Sequence, residues 1–129
     1  MNRRISMKTI AALGAGAALP AQTAANAIQL HVDLEVDPAR EKELLANFRN
    51  IFQPAISRQP GFVDVKLLKF QKSMHGDAPK QFLNRLLISF QTEEQRLQWV
   101  ASDDHQKAWP AIEKTLKGSK LTAWLYAIA

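Results

Sequence analysis

Residues 28–36 read I-Q-L-H-V-D-L-E-V, and apolar and polar side chains alternate through this stretch without a break. Alternation with a period of two is typical of a β-strand that buries one face. One side of the strand carries Ile28, Leu30, Val32, Leu34 and Val36. The stretch therefore predicts the first strand of a sheet, packed on one side against a hydrophobic core.

A helix is predicted directly after this strand. Asp37 is placed to cap it and Pro38 to occupy its first position, where a missing N–H costs nothing. Apolar residues then recur three and four positions apart as far as Ile56, so residues 38 to about 57 are predicted to form an amphipathic helix. Pro54 is expected to kink the last turn of this helix rather than abolish it.

Two further strands are predicted at residues 62–70, F-V-D-V-K-L-L-K-F, and 82–90, F-L-N-R-L-L-I-S-F. Both have apolar residues on each face, which indicates a second layer over the sheet, most simply a partner subunit. In the first of them, simple alternation puts Val63, Val65 and Leu67 on one side and Phe62, Leu68 and Phe70 on the other.

The C-terminal part of the chain predicts a helix in two pieces and a last strand. Residues 92–95, T-E-E-Q, form a capping box before a short helix at 93–101, with Leu97 and Val100 expected to point inward. The stretch S-D-D restarts a helix that is expected to end near Gly118, and residues 121–129 predict a fourth strand. The order βαββαβ, with its second helix split, predicts an α+β, ferredoxin-like fold with an antiparallel sheet.

The N-terminal segment has the three-part order of a secretory signal. A basic stretch with Arg3 and Arg4 precedes the apolar run at 10–20, and small residues follow at Ala25 and Ala27. We expect a cleavable signal peptide at residues 1–27, of the twin-arginine type, and export of the domain at 28–129 to the periplasm or beyond. The apolar run is too short for a stable membrane anchor. A disordered N-terminal segment without a targeting role is the alternative.

Charge and cysteine content exclude several function classes. Three of the 17 Lys and Arg residues lie in the predicted signal and none of the 12 acids does, so the net charge falls from +5 to +2 on cleavage. Such a balanced surface gives no support for nucleic-acid binding. The chain has no cysteine, which excludes disulfides, thiolate metal sites and a cysteine nucleophile.

Three stretches carry a resemblance to a known family. They are residues 38–49, P-A-R-E-K-E-L-L-A-N-F-R, residues 59–67, Q-P-G-F-V-D-V-K-L, and residues 90–109, F-Q-T-E-E-Q-R-L-Q-W-V-A-S-D-D-H-Q-K-A-W. With them, residues 28–129 resemble the antibiotic biosynthesis monooxygenase family of the dimeric α/β-barrel superfamily. The resemblance implies a homodimer whose two sheets close into one barrel.

The family includes cofactor-independent oxygenases of polyphenols and quinols, and enzymes that degrade haem. The haem enzymes use a tryptophan, a histidine ten residues later as iron ligand, and an asparagine on the first strand. Trp99 matches the tryptophan, but Trp109 stands where the histidine would be and Asp33-Leu34 where the asparagine would be. Because an indole N–H only donates, Trp109 cannot bind iron. The expectation is a protein without a haem, metal or other cofactor.

His105 is the first candidate for a catalytic base. The resemblance implies that it lies near a pocket, where a neutral imidazole can deprotonate a phenol or hydroquinone. Trp99 and Trp109 would then line that pocket and hold a flat small aromatic or quinol-type ligand. The alternatives are that His105 caps the helix start, that both tryptophans are core residues, and that Asp103 and Asp104 cap the helix.

Three residues on the strands complete the candidate set. His31 is a second candidate for proton transfer, or a solvated strand residue, and Arg85 holds an anionic group or locks the dimer. Tyr126 shares one face of the last strand with Trp124 and Thr122, where it reaches a pocket or the partner chain. The two main functions that remain open are an exported monooxygenase of a phenolic or quinol compound and a non-catalytic dimeric barrel that binds a hydrophobic ligand or a protein. Haem binding is the third and least favoured option.

Overall fold

The computed structural model describes residues 27–129, so the predicted signal peptide lies outside the described residues except for Ala27. Four strands form one antiparallel sheet in the order β2-β3-β1-β4: β1 (Ile28–Val36), β2 (Phe62–Lys69), β3 (Asn84–Phe90) and β4 (Leu116–Ala127). The helices pack on one face of this sheet. The predicted α+β, ferredoxin-like fold is confirmed. Within the described range, every helix is too short or too polar to cross a membrane.

Strand β1 lies in the middle of the sheet and has the predicted two-sided character. Val32 and Leu34 are buried in the core, while His31 and Asp33 point to the opposite face. We call that opposite face, which no helix among residues 27–129 covers, the outer face. Its central residues are Gln29, His31 and Asp33 of β1, Arg85, Leu87 and Ser89 of β3, and Thr122, Trp124 and Tyr126 of β4.

The first helical segment runs from residue 38 to 57 as predicted, but it is not one regular helix. A 3-10 turn at Pro38–Arg40 leads into α1 (Glu41–Asn47), a π-helical turn at Phe48–Phe52 and α2 (Gln53–Ser57). Asp37 caps its start, since the carboxylate accepts a hydrogen bond of 3.0 Å from the N–H of Ala39. The wide turn lies directly before Pro54, whose ring and missing N–H do not suit a regular α-helix.

The predicted faces of β2 are wrong at its first residue. Phe62 pairs with Phe90 and Asp64 with Ser89, so Val63 is an extra residue that forms a β-bulge. The bulge moves Phe62 to the same face as Val65 and Leu67, where its ring packs edge-on against Phe90 at 6.0 Å. Val63 is left half exposed.

The predicted inward face of the second helix is wrong at Leu97. Helix α3 (Glu93–Ala101) begins at the Thr92 cap as expected, but it buries Trp99 and leaves Leu97 52% exposed. Val100, although 36% exposed, lies with Trp99 on the side that faces the sheet, as predicted. Successive residues of an α-helix are turned by about 100°, so positions 97 and 99 point to nearly opposite sides. The indole takes the position that meets Phe52 in the core.

Helix α4 (Asp103–Glu113) ends earlier than predicted, and β4 begins at Leu116 rather than at 121. The N–H of Asp37 donates to the carbonyl of Thr115, which brings the chain to the edge of β1 before Gly118 is reached. Gly118 and Ser119 have φ angles of 67° and 58° in an irregular part of β4. The glycine therefore marks a bulge in a strand and not the end of a helix.

Candidate functional site

An apolar cleft of about 190 Å³ lies between the sheet and helices α3 and α4. Its floor comes from β1, β3 and β4, and its walls come from the two helices and Phe52. The lining residues are Leu30, Val32, Phe52, Leu86, Ile88, Arg96, Trp99, Val100, His105, Trp109, Leu121 and Ala123. His105 and Arg96 are the two lining residues with titratable side chains. A cleft of this size accepts one aromatic ring with small substituents, since a cavity of about 150 Å³ holds benzene.

The start of α4 places His105 in this cleft. Ser102 is the helix cap, because its hydroxyl oxygen accepts a hydrogen bond of 3.1 Å from the backbone N–H of His105. The imidazole itself caps nothing, so the capping interpretation of this side chain is wrong. Its Nδ1 atom is buried and has no hydrogen-bond partner among the described residues. Burial lowers the pKa of His105, which favours the neutral base at pH 7.

Two tryptophans hold the imidazole of His105. Trp99 meets it edge-on, with 4.9 Å between the ring centroids, and Trp109 lies nearly parallel to it at 6.3 Å. Trp99 is only 2% exposed and also packs edge-on against Phe52 at 5.8 Å. Core packing and pocket lining are therefore not alternatives for Trp99, which does both.

Arg96 is the residue of the cleft that sequence reasoning missed. It lies one helical turn before Trp99, and that spacing is the signal that places both on one side of α3. Its side chain is 15% exposed, and it donates to both oxygens of Glu93 at 2.6 and 2.7 Å. These hydrogen bonds raise the pKa of Arg96 and lower the pKa of Glu93, so both groups remain charged.

The other predicted site residues lie on the outer face, separated from the cleft by the sheet. Arg85 and Tyr126 therefore do not line one pocket with Trp99 and Trp109, because strand alternation turns them away from the helices. Arg85 instead borders a separate depression under the loop at 71–83. The ring of Tyr126 meets the ring of His31 edge-on at 4.7 Å.

Hydrogen bonds across β1 and β3 join Arg85 to Asp33 and to His31. Both oxygens of Asp33 accept from Arg85, at 2.6 and 3.2 Å, and another guanidinium nitrogen lies 3.4 Å from His31 Nδ1. The Nε2 atom of His31 lies 2.9 Å from the side-chain amide oxygen of Gln29, Oε1, which fits a neutral ring protonated at Nε2. Burial and then the charge of Arg85 lower the pKa of His31, against the opposing charge of Asp33.

The acidic pair at the start of α4 has a structural role through Asp104 alone. Its carboxylate accepts from Gln59 at 2.8 Å and pairs with Arg58 at 3.5 Å, which ties α4 to the end of the first helical segment. Asp103 is exposed and is not the cap, so the capping prediction for this pair is wrong. Residues 27–129 contain no cluster of three or more His, Cys, Asp or Glu side chains that would hold a metal ion.

The fold recurs in known structures. SnoaB, a cofactor-independent oxygenase from Streptomyces nogalater, has a TM-score of 0.62 at 16% identity, covering 81% of this chain and 94% of SnoaB. A proposed antibiotic biosynthesis monooxygenase from Caulobacter crescentus has a TM-score of 0.64 at 15% identity, covering 81% and 91%. The chain has the fold of these two proteins. The resemblance predicted from residues 28–129 is thus confirmed at the level of the fold.

A third structure with this fold is a dimeric ferredoxin-like protein of unknown function from Jannaschia. It has a TM-score of 0.67 at 10% identity and covers 80% of this chain and 100% of its own. No protein-family model and no curated protein matches the chain. At these identities the likeness establishes the monooxygenase-type fold, and the function has to be argued from the site.

Proposed function

We propose that this protein is a cofactor-independent monooxygenase that oxidises a small phenolic or quinol compound with dioxygen in the cleft of α3 and α4. The observation that carries the proposal is the imidazole of His105, which lines an apolar cleft between two tryptophans and whose Nδ1 atom has no hydrogen-bond partner among the described residues. A neutral imidazole has one acceptor nitrogen, so a substrate hydroxyl in the cleft can donate to this ring.

The chemistry begins with transfer of the phenolic proton to His105. The phenolate that results is electron-rich and passes one electron to dioxygen, which gives a phenoxyl radical and superoxide. Their recombination at a ring carbon forms a peroxide anion, which takes the proton back from His105. Loss of water, together with the ring hydrogen, then leaves a quinone. One oxygen atom enters the product and the other leaves as water, and the substrate supplies all four electrons. The reaction therefore needs no bound redox group. SnoaB is described as working without a cofactor.

The tryptophans provide the binding surface for such a substrate. Ring faces of Trp99 and Trp109 favour flat aromatic molecules, and the surrounding leucine, isoleucine and valine side chains exclude water. Exclusion of water keeps the imidazole neutral before it reacts and strengthens its attraction to the phenolate once it has taken the proton.

A homodimer through the outer face is part of the proposal. Trp124 is 54% and Tyr126 53% exposed, and Leu68 lies in the same uncovered face. A monomer rarely leaves large aromatic residues together in water, and a second sheet would cover them. The Jannaschia protein with this fold is described as dimeric. Trp124→Asp is expected to shift the mass measured by light scattering to that of a monomer, and Met74→Asp in the exposed loop to leave it unchanged.

Export through a signal peptide at residues 1–27 is also a proposal. It is supported by the adjacent Arg3 and Arg4, the apolar run and the small residues that follow. Cell fractionation of the full chain and of an Arg3→Lys, Arg4→Lys variant tests it. Processing near Ala27 in the parent, lost in the variant, supports twin-arginine export, whereas processing in both contradicts the twin-arginine assignment.

Oxygen uptake tests the catalytic proposal directly. The purified protein is assayed against a panel of phenols and hydroquinones, with His105→Ala and with His31→Ala as a matched control on the other side of the sheet. Uptake above autoxidation that is lost in His105→Ala and kept in His31→Ala supports the proposal. Uptake equal to autoxidation with every compound overturns it and leaves the ligand-binding barrel as the function.

A further inference from the structure

Arg96 lines the cleft and has hydrogen-bond donors that no described residue uses. Its Nε and one terminal nitrogen donate to Glu93, so this edge of the guanidinium is fully used. The second terminal nitrogen, Nη1, has no hydrogen bond to a described residue. It is not one of the buried side-chain atoms without a partner, so it is accessible. Because a guanidinium carries five N–H donors, Arg96 has donors left for a ligand.

Glu93 already neutralises the charge of this arginine. The two hydrogen bonds are short and parallel, an arrangement that fixes the guanidinium plane as well as its charge partner. A second carboxylate on Arg96 would bring an uncompensated negative charge into a mostly apolar lining, which is costly. An uncharged oxygen acceptor brings no such cost.

We infer that Arg96 binds a neutral carbonyl oxygen of the ligand while His105 accepts a hydrogen bond from a ligand hydroxyl, so that the cleft selects hydroxyaryl ketones or quinone-like compounds over aryl carboxylates. The inference rests on the proposed location of the site and not on oxygenase activity. It adds a specificity determinant, Arg96, to the apolar surface formed by the tryptophans.

Binding of a matched set of single-ring compounds tests the inference. Hydroxyacetophenone, as its meta and para isomers, carries the hydroxyl and the carbonyl. Ethylphenol lacks only the carbonyl oxygen, and hydroxybenzoate replaces the ketone by a carboxylate of similar shape. Titrations are followed by the NMR shifts of the indole N–H groups of Trp99 and Trp109. Trp124, on the outer face, is the internal control.

The parent protein is expected to bind one hydroxyacetophenone isomer on the order of ten-fold more tightly than the matching ethylphenol and hydroxybenzoate, as a hydrogen bond to a charged donor implies. Arg96→Met should abolish the preference over ethylphenol, whereas Arg49→Met on the exposed helical surface should not. Glu93→Gln leaves the guanidinium without its counterion and should shift the preference toward hydroxybenzoate.

Equal affinity for hydroxyacetophenone and ethylphenol in the parent would overturn the inference, as would a preference for hydroxybenzoate. Indole shifts for Trp124 alone would overturn the location of the site as well. A protein that binds the ketone through Arg96 but consumes no oxygen with any phenol refutes the proposed oxygenase and leaves this inference standing. Oxygen uptake with a phenol, together with unchanged binding preferences in Arg96→Met, supports the oxygenase and refutes the inference about Arg96.

Discussion

The imidazole of His105 and the indole of Trp99 meet edge to face, with 4.9 Å between their ring centroids. Trp99 lies in the last turn of α3 and His105 in the first turn of α4. Ser102 between the helices makes this contact possible, since its extended backbone breaks the helix and its hydroxyl caps the next one. A histidine six residues after a tryptophan is thereby folded back into the same cleft.

Burial of His105 predicts that the protein loses stability in mildly acidic solution. Burial lowers the pKa of His105 in the folded state below its ordinary value of 6.5. Well above pH 6.5, both the folded and the unfolded chain hold a neutral ring, so His105 makes no pH-dependent contribution to the unfolding free energy. As the pH falls below this value, the unfolded chain takes up the proton first and unfolding is favoured. Between pH 7.5 and 5, the unfolding free energy measured with urea should fall less in His105→Gln than in the parent. An equal loss in both would contradict burial as the cause.

Removal of the Trp99 ring should strongly destabilise the fold. The side chain is 2% exposed and packs against Phe52 and His105, so Trp99→Ala is expected to cost about 3–5 kcal/mol of unfolding free energy. Trp124→Ala, at a position 54% exposed in the chain, serves as the control. Chemical denaturation at low protein concentration measures the unfolding free energy of both variants. Similar losses of unfolding free energy in the two variants would argue against Trp99 as a core residue.

Substitutions at Gly61 and Gly76 distinguish the cost of backbone strain from the cost of a steric clash. The two glycines have similar φ angles of 81° and 83°. A Cβ at Gly61 would clash with the side chain of Gln95, whereas one at Gly76 would meet nothing within 4 Å. Gly76→Ala should cost about 1 kcal/mol for the left-handed backbone. Gly61→Ala should cost more, and adding Gln95→Ala should recover part of the difference. Equal losses at both glycines would show that the Gln95 side chain moves aside freely.

Arg85 should contribute to the titration of His31. Burial is the main cause that lowers the pKa of His31, the positive charge of Arg85 lowers it further, and Asp33 acts in the opposite direction. Arg85→Met removes the effect of the arginine charge and frees Asp33 from its salt bridge, so the pKa of His31 should rise. NMR titration of the histidine ring protons measures it. His105, on the other side of the sheet, should titrate as in the parent, and a His31 pKa that does not move would refute the network.

Ser102 and Asp103 provide a test of which residue caps α4. The Ser102 hydroxyl accepts from the N–H of His105, so Ser102→Ala should lower the unfolding free energy by about 1 kcal/mol. Asp103→Ala should have a much smaller effect, since its exposed side chain contributes only through the helix dipole. A larger loss for Asp103→Ala in thermal denaturation would restore the aspartate as the cap.

Local patterns predicted the strands and helices well where one physical rule dominated. Alternation in residues 28–36 gave β1 its bounds, and Asp37 and Thr92 cap the helices that they were expected to cap. The rules failed where two readings of one residue compete. Gly118 fits both a helix end and a strand bulge, and Val63 fits both a regular strand and a bulge. Only pairing with a neighbouring strand decides between them.

The candidate site was predicted in parts but not as a unit. His105, Trp99 and Trp109 stand out in the sequence because they are rare residue types close together, and the structure brings all three into one cleft. Arg96 was missed because an arginine on a helix is usually solvated, although its spacing from Trp99 places both on one side of α3. Arg85 and Tyr126 were candidates for a ligand site or for the dimer contact, and they lie on the other side of the sheet from this cleft.

By itself, the sequence determined the order of elements, the buried face of β1 and the residue types available for chemistry, because periodicity, caps and turn residues act within a few positions. The tertiary structure decided which of those residues meet. The side of the sheet on which His31 or His105 lies depends on strand register and on how α3 and α4 pack against β1 and β3. These are contacts between residues far apart in the chain, and a local pattern does not encode the distance between them.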